Sequence, residues 1–235
     1  MMLYSRILET SEATTIEELS RRVGEIGEEM GFGLYSIIVL EGRLGSSWRS
    51  FVRNNAPPAF AEASVNIEDG RRDSVLNRVK KYSSPIVYNQ KMYTDDNNGD
   101  LWEEQATFGY KVGIATVVHL PDGKHVSLGF DRAEPLPTNE MQLGRMIADI
   151  QLLTVHAQNA ALRLMHPEYG SKPILTGRQL EVLRWTALGK TAWETGQILD
   201  LDERTINAHL SVIYRKLDAG SKTQAVFNAA SRGLI

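Results

Sequence analysis

The stretch LTGRQLEVLRWTALGKTAWETGQILDLDERTINAHLSVIYRKL, from Leu175 to Leu217, compresses three helical segments into one short run. Residues 177–188 read as a helix whose apolar positions include Leu180, Leu183 and Trp185, and Gly189 stops it. Thr191 and Glu194 form a capping box that opens a short helix through Ile198. The turn Asp200-Leu201-Asp202 follows, with Asp202 placed to cap a helix from Glu203 to Leu217. That helix would turn Ile206, Leu210, Ile213 and Leu217 inward. A fourth helix, from about Lys222 to Arg232, would bring Ala225, Phe227 and Ala229 or Ala230 to close a core. Two helices joined by a tight turn, the second with polar and basic residues on its outer side, make helix-turn-helix geometry. The second helix of such a pair can enter the major groove of DNA.

With 235 residues, most of the chain lies before this unit. TTIEELSRRVGEIGEEMGFG has Thr14 three residues before Glu17, a capping box, then Ile16, Leu19, Val23, Ile26 and Met30 at helical spacing, with Gly31 as a stop. LYSIIVLE and SWRSFV read as strands, and APPAFAEASVNIEDGRRDSVLNRVKKY as a proline-broken loop ending in a helix. SPIVY is a strand, DLWEEQATFGY a helix, and KVGIATVVHL-PDG-KHVSLGF a β-hairpin. Thr138 to Met165 is one long amphipathic helix. This order predicts an α+β domain with a sheet between helices, spanning 1–165. HPEYGSKP, with Pro167, Gly170 and Pro173, sits in a linker at 166–174, and the four-helix, all-α unit occupies 175–235.

Charge follows the same division. From Ser171 to Ile235 nine Lys/Arg face six Asp/Glu, a net of +3; residues 1–170 hold 17 basic and 23 acidic groups, a net of −6. An acidic body with a mildly basic tail fits a sensor joined to a DNA reader. The absence of cysteine excludes a disulfide scaffold, a thiolate zinc site and a Cys nucleophile, and fits a reducing cytoplasm. The N-terminus does not read as a secretory signal and no apolar run is long enough to span a bilayer, so a cytoplasmic protein with no membrane partner is expected.

The C-terminal run resembles the DNA-binding domain of the LuxR family over about sixty residues. Leu183, Gly189-Lys190-Thr191, Thr205-Ile206, His209-Leu210 and Lys216-Leu217 carry the likeness, with Gln179 where the family usually has Glu. The resemblance implies base reading by Asn207 and Ser211. Lys190, Thr191, Arg204, Thr205, His209, Arg215 and Lys222 are further DNA contacts, most of them to phosphates. It implies double-stranded DNA with paired half-sites as partner, read by a homodimer.

Upstream, the absence of an early acidic pair argues against a phosphoacceptor receiver. Element order, linker position, MGFGLYS, SPIVYN and the Gly113 region resemble the autoinducer-binding, quorum-sensing subfamily. Its fold is an α-β-α sandwich holding an acyl-homoserine lactone between sheet and helices. The resemblance places Asp73 where the family accepts the ligand amide N–H and Ser36 at a pocket serine. It puts Phe60 and Ser64 at positions of aromatic donors, Tyr88 at a pocket Trp and Gly129 at a hairpin Ser/Thr. Phe60 has no N–H to give, and a buried carbonyl without a donor is costly.

Three readings stay open. The register slips in the proline-broken loop, near Trp48; or another small molecule binds, with Asp73, Tyr88, Ser36 and Thr116 as polar contacts; or side chains fill the cavity. In the last case the protein is a ligand-independent regulator whose first domain serves dimerisation or pairing with another regulator. TDDNNGDLWEEQ lacks the carboxylates of a calcium loop, with Thr94 and Gln105 at its first and last ligand positions, and the five histidines lack metal-ligand spacing. No catalytic residues, metal or cofactor are expected beyond a small-molecule signal, an acyl-homoserine lactone or a relative of it.

Overall fold

The structure, a computed structural model, describes residues 2–42, 48–63, 72–120, 123–166 and 175–235. It divides into two compact units, one made of residues 1–120 and 124–169 and a second centred on 170–235.

The first unit runs α1 (Met2–Glu9), a 3-10 turn (Thr10–Glu12), α2 (Ile16–Glu29), β1 (Leu34–Glu41), β2 (Arg49–Asn54), α3 (Pro58–Ala63), α4 (Ser74–Val79), β3 (Ile86–Tyr88), α5 (Gln90–Asp95), α6 (Gly99–Ala106), β4 (Val112–His119), β5 (Lys124–Arg132) and α7 (Glu140–Met165). The strands form one antiparallel sheet in the order β2-β1-β5-β4-β3. The hairpin pairs Val112 with Arg132 through His119 with His125, and β1 closes on the other edge of β5 from Leu34↔Asp131 to Glu41↔Lys124.

Because side chains alternate along a strand, the sheet has two chemically distinct faces. One presents Ile37, Val39, Ile114, Val126, Leu128 and Phe130 to Leu19, Val23 and Ile26 of α2 and to Ile150, Leu153, Ala157 and Ala161 of α7. The other presents Leu40, Ile86, Tyr88, Ala115 and Val117 to Val79, Tyr93 and Leu101. This is the α-β-α sandwich the resemblance implied.

Several elements differ from the sequence expectation. Thr15, not Thr14, caps α2: its side chain accepts from the Glu18 amide at 3.2 Å, and the Glu18 carboxylate reaches back to the Thr14 amide at 2.8 Å. No reciprocal box forms, because Glu18 bonds the residue before the cap rather than the cap's own amide; of two adjacent threonines, each with a glutamate three positions on, only Thr15 caps. The sequence reading contains none of α1, α3 and α5, and α3 occupies part of the stretch read as a proline-broken loop. α1 lies at the very start of the chain, and α5 is a six-residue helix set off by the Asn89 cap. Among the described residues no helix is long and apolar enough to cross a membrane.

The second unit contains α8 (Gly177–Ala187), α9 (Ala192–Leu199), α10 (Glu203–Leu217) and α11 (Lys222–Ser231). Thr176, Thr191, Asp202 and Ser221 each accept the amide three residues on, so every helix start is capped by its own sequence. Gly189 takes φ +85 after α8, a left-handed conformation that a β-carbon would disfavour. Buried Leu175, Val182, Leu183, Ile206, Ile213, Leu217, Ala225 and Ala229 form the core.

Phe227 does not join that core as expected; it is 69% exposed. Ala225 and Ala229, four residues apart, define the inward face of α11, and Phe227 lies midway between them on the far side of the helix. Gln179 shows why a carboxylate is dispensable at its position. Its amide oxygen accepts from the Thr176 backbone and from Lys216 Nζ, both at 3.0 Å.

Candidate functional site

On the sheet face away from α2 and α7, the first unit encloses a cavity of about 510 Å³. β1 contributes Ser36 and Ile38, β5 contributes Ser127, Gly129 and Asp131, and β3 and β4 contribute Tyr88 and Ala115. Helices α3 to α6 and the residues around them supply Phe60, Asp73, Leu76, Tyr93, Gln105, Phe108 and Tyr110. The volume falls in the range of about 300–1,000 Å³ typical of small-molecule sites, and the described side chains around it leave that space open.

Asp73 is 7% exposed and already engaged. Its Oδ1 accepts from the Leu76 amide at 2.7 Å, capping α4, and its Oδ2 accepts from Tyr93 Oη at 3.1 Å and Gln105 Nε2 at 3.3 Å. Burial first, and the Asp73 charge second, push the Tyr93 phenol up. It therefore stays a neutral donor.

A second carboxylate, Asp131, lies 2% exposed in the same lining and accepts from Tyr88 Oη at 2.6 Å. Burial, partly offset by the Tyr88 hydrogen bond and reinforced by the Asp73 charge, pushes the Asp131 carboxyl up to about 7. Gly113 makes this pair possible. A β-carbon there would overlap the Tyr88 hydroxyl and sit 2.5 Å from the Phe130 carbonyl oxygen.

The aromatic wall is built on Phe60. Its ring stacks on Tyr110, with centroids 4.5 Å apart, and meets Phe108 edge-on at 5.4 Å. The buried Tyr110 hydroxyl lies against Ser36, close enough for the two side chains to interact by hydrogen bonding. Ser36 pairs with Gly129 across β1 and β5, and a β-carbon on Gly129 would touch only Ser36 Cβ, at 3.9 Å.

Ser36, Phe60, Asp73, Tyr88 and Gly129 are thus brought to one cavity. Ser64 lies outside the described residues. Thr116 is a correction: it faces the opposite side of the sheet, where its hydroxyl meets Thr154 of α7 at 2.5 Å. Strand alternation requires this, since its neighbour Ala115 occupies the cavity face. The sequence reading missed Asp131, Ser127, Tyr93, Gln105 and Tyr110. For two of them a signal was present: Ser127 and Asp131 lie two residues either side of Gly129 and so share its face.

Asp131 gives a pH-dependent expectation. In the folded protein it keeps its proton up to about pH 7, whereas an unfolded chain releases it near about 3.9. Between those values the folded state binds more protons, so this contribution to stability falls as pH rises. Asp131→Asn keeps an acceptor for Tyr88 without the charge. Its stability relative to wild type should therefore climb between about pH 4 and pH 8, by more than about 1 kcal/mol. Urea denaturation across that range measures it, and a pH-independent difference would contradict the assignment.

In the second unit, α10 follows α9 across the turn at Asp200, which takes φ +53. Arg204, Asn207, Ser211 and Arg215 are all exposed and recur at three- and four-residue intervals along α10, forming one outer stripe. Arg204 and Arg215 make no ion pair among the described residues. Ser211 Oγ donates to the Asn207 carbonyl at 3.0 Å, leaving its oxygen as an acceptor.

The other residues the resemblance singled out are engaged as follows. Thr205 Oγ1 bonds Asp202 at 2.9 Å, His209 is half-buried, and Thr191 caps α9. Lys190 pairs with Glu194 at 3.2 Å, and Lys222 Nζ donates to the Lys190 carbonyl at 2.9 Å. Among the described residues no three His, Cys, Asp or Glu side chains are grouped to hold a metal ion.

Comparisons with known proteins match both units. The family described as "Autoinducer binding domain" covers residues 15–161, and "Bacterial regulatory proteins, luxR family" covers 173–229. The regulatory protein SdiA of Escherichia coli (strain K12) is 27% identical over 97% of this chain and 95% of its own length. The HTH-type quorum-sensing regulator RhlR of Pseudomonas aeruginosa is 29% identical over 88% of this chain and 85% of its own. The solved structure of SdiA in complex with octanoyl-rac-glycerol matches with a TM-score of 0.79 at 25% identity, covering 98% of this chain and 94% of that one. The chain belongs to the autoinducer-binding, quorum-sensing LuxR family, whose members are DNA-binding transcription regulators controlled by a small-molecule signal rather than enzymes.

Proposed function

We propose that the cavity takes an acylated signal, an acyl-homoserine lactone or a molecule with a related head group, and that a homodimer of the chain reads paired half-sites in the cytoplasm. The carrying observation is a largely apolar cavity of about 510 Å³ whose polar groups gather around Asp73, Tyr88 and Asp131. An acyl chain suits the apolar part, and SdiA has been solved with one such molecule, octanoyl-rac-glycerol. Asp73 keeps limited spare acceptor capacity for a ligand N–H, because three donors already occupy its two oxygens. Phe60 packs against Tyr110 and donates nothing, so an ordinary lactone head is held weakly or in an altered arrangement.

The sensor is assigned to 1–165, the linker to 166–174 and the reader to 175–235. Met141 and Val155 leave apolar side chains exposed along α7, which favours α7 as a pairing surface. On the reader, Asn207 and Ser211 take the base-contacting role, with Arg204, Arg215, Lys190 and Lys222 on phosphates.

Calorimetric titration with a chain-length series of acylated signals, followed by operator binding, tests the reading. At least one member should bind, and binding should alter operator affinity. Sedimentation should give a dimer. Asn207→Ala should cost about 1–3 kcal/mol on operator and little on unrelated DNA, whereas Arg215→Ala should weaken both and lower the salt slope by about one. If Asn207→Ala weakens every sequence equally, the base-reading role is wrong.

A further inference from the structure

The cavity is unbalanced in charge. Asp73, Asp131 and, at its exposed edge, Glu104 are all in the lining, while no Lys, Arg or His is among the described lining residues. The two buried carboxylates are not equivalent. Asp73 takes three hydrogen bonds, and Lys80 is near enough to feel its charge. Asp131 takes one, from Tyr88, and makes no ion pair among the described residues. A carboxylate has about four acceptor sites, so Asp131 has most of its capacity unused. A buried carboxylate without a counter-charge is costly, and a group that supplies one on binding gains in proportion.

The same wall carries the buried Tyr110 hydroxyl, which has Ser36 beside it and can donate as well as accept. Phe60, by contrast, offers no donor to a neutral carbonyl head. The described lining thus carries negative charge with no cation to balance it, and a cationic head group would supply one.

We propose that the head group this cavity selects is a protonated amine, carried on an acyl chain and paired with Asp131. The proposal rests on the reading of the cavity as a signal site and specifies the chemistry of the signal. The ammonium donates to the free positions of Asp131 while Tyr88 holds the carboxylate in place, and the acyl part lies along Ile38, Val52 and Leu76. The titratable groups that interact with the Asp131 charge are Tyr88 of β3, Asp73 before α4, Tyr93 of α5 and Tyr110 before β4, none of them cationic. With Asp131 partly protonated near neutrality, binding an ammonium drives its proton into solvent.

The test uses the full-length protein and three octanoyl amides: N-octanoyl-ethylenediamine, which ends in an ammonium; N-octanoyl-ethanolamine, its neutral isostere; and N-octanoyl-homoserine lactone. Titration near neutral pH should find the ammonium probe bound at least about tenfold more tightly than the isostere, the scale of a hydrogen bond to a charged group. Proton release should appear when buffers of different ionisation enthalpy are compared. Asp131→Asn should bring the two affinities together.

Equal binding of ammonium and isostere by wild type overturns the proposal and leaves the signal-site reading intact. So does a preference that survives Asp131→Asn. Lactone binding that tightens as pH falls and disappears in Asp131→Asn would make Asp131 a protonated donor to a carbonyl, and would also overturn it. If none of the three probes binds but another member of the chain-length series does, the proposal is overturned and the signal-site reading stands; if no acylated signal binds, both fail.

Discussion

Gly113→Ala is expected to destabilise the sensor unit by on the order of 3 kcal/mol and to abolish ligand binding. The new methyl group would overlap the Tyr88 hydroxyl and press to 2.5 Å on the Phe130 carbonyl oxygen. The phenol can swing away, but the carbonyl belongs to the central strand β5 and cannot. Moving Tyr88 removes the one hydrogen bond of Asp131 and leaves a buried carboxyl without a donor. Two costs add: overpacking between β3, β4 and β5, and an unsatisfied buried polar group. The control is Gly129→Ala on the neighbouring strand, whose β-carbon would meet nothing closer than Ser36 Cβ at 3.9 Å. That variant should fold as wild type. Chemical denaturation of both, with the slope checked for constancy, measures the difference. A Gly113→Ala protein as stable as Gly129→Ala would show that the floor of the cavity is not built on the Tyr88–Asp131 contact.

Gly196→Ala should do comparable damage in the reader. Inside an exposed helix the change from Gly to Ala ordinarily stabilises by about 1 kcal/mol. Here the β-carbon would stand 2.5 Å from the Leu201 carbonyl oxygen, in the turn between α9 and α10. The Leu201 amide also bonds the Gly196 carbonyl at 2.9 Å, so the two backbones are clamped together at this point. Relief requires α10 to shift against α9, carrying Arg204, Asn207 and Ser211 with it. We expect a stability loss of about 1–3 kcal/mol. Operator affinity should fall toward the non-specific level, a loss of about a thousandfold or more. Fluorescence anisotropy with operator and scrambled DNA separates the two effects. A stabilised variant with full operator affinity would mean that the turn has room that the geometry denies it.

The legible and illegible parts of this protein differ in the range of the interactions that make them. The reader could be laid out residue by residue because its signals are local. Thr176, Thr191, Asp202 and Ser221 each bond an amide three positions away, and Gly189 stops a helix by its own backbone. Even there one residue went astray: Phe227 is apolar, but the geometry of α11 turns it outward and leaves Ala225 and Ala229 to the core. In the sensor, alternation and the PDG signal were enough for the hairpin, while two adjacent threonines with equivalent glutamates left the cap of α2 ambiguous.

The cavity is where the sequence alone stops. Alternating polarity does not say which face of a strand meets helices that bury it and which meets a hollow. Sequence alone therefore places Thr116 with the pocket, although it bonds Thr154 on the other side. Asp131 passed unnoticed because its partner, Tyr88, is 43 residues away, and because what singles it out is burial rather than residue type. The sequence by itself determined a capped helix-turn-helix after an α+β domain, and through family likeness a signal-controlled DNA reader. Only the tertiary structure decided that two carboxylates share one cavity and that one of them is left nearly unpartnered. Desolvation and long-range pairing belong to the assembled fold, and no local pattern in the chain encodes them.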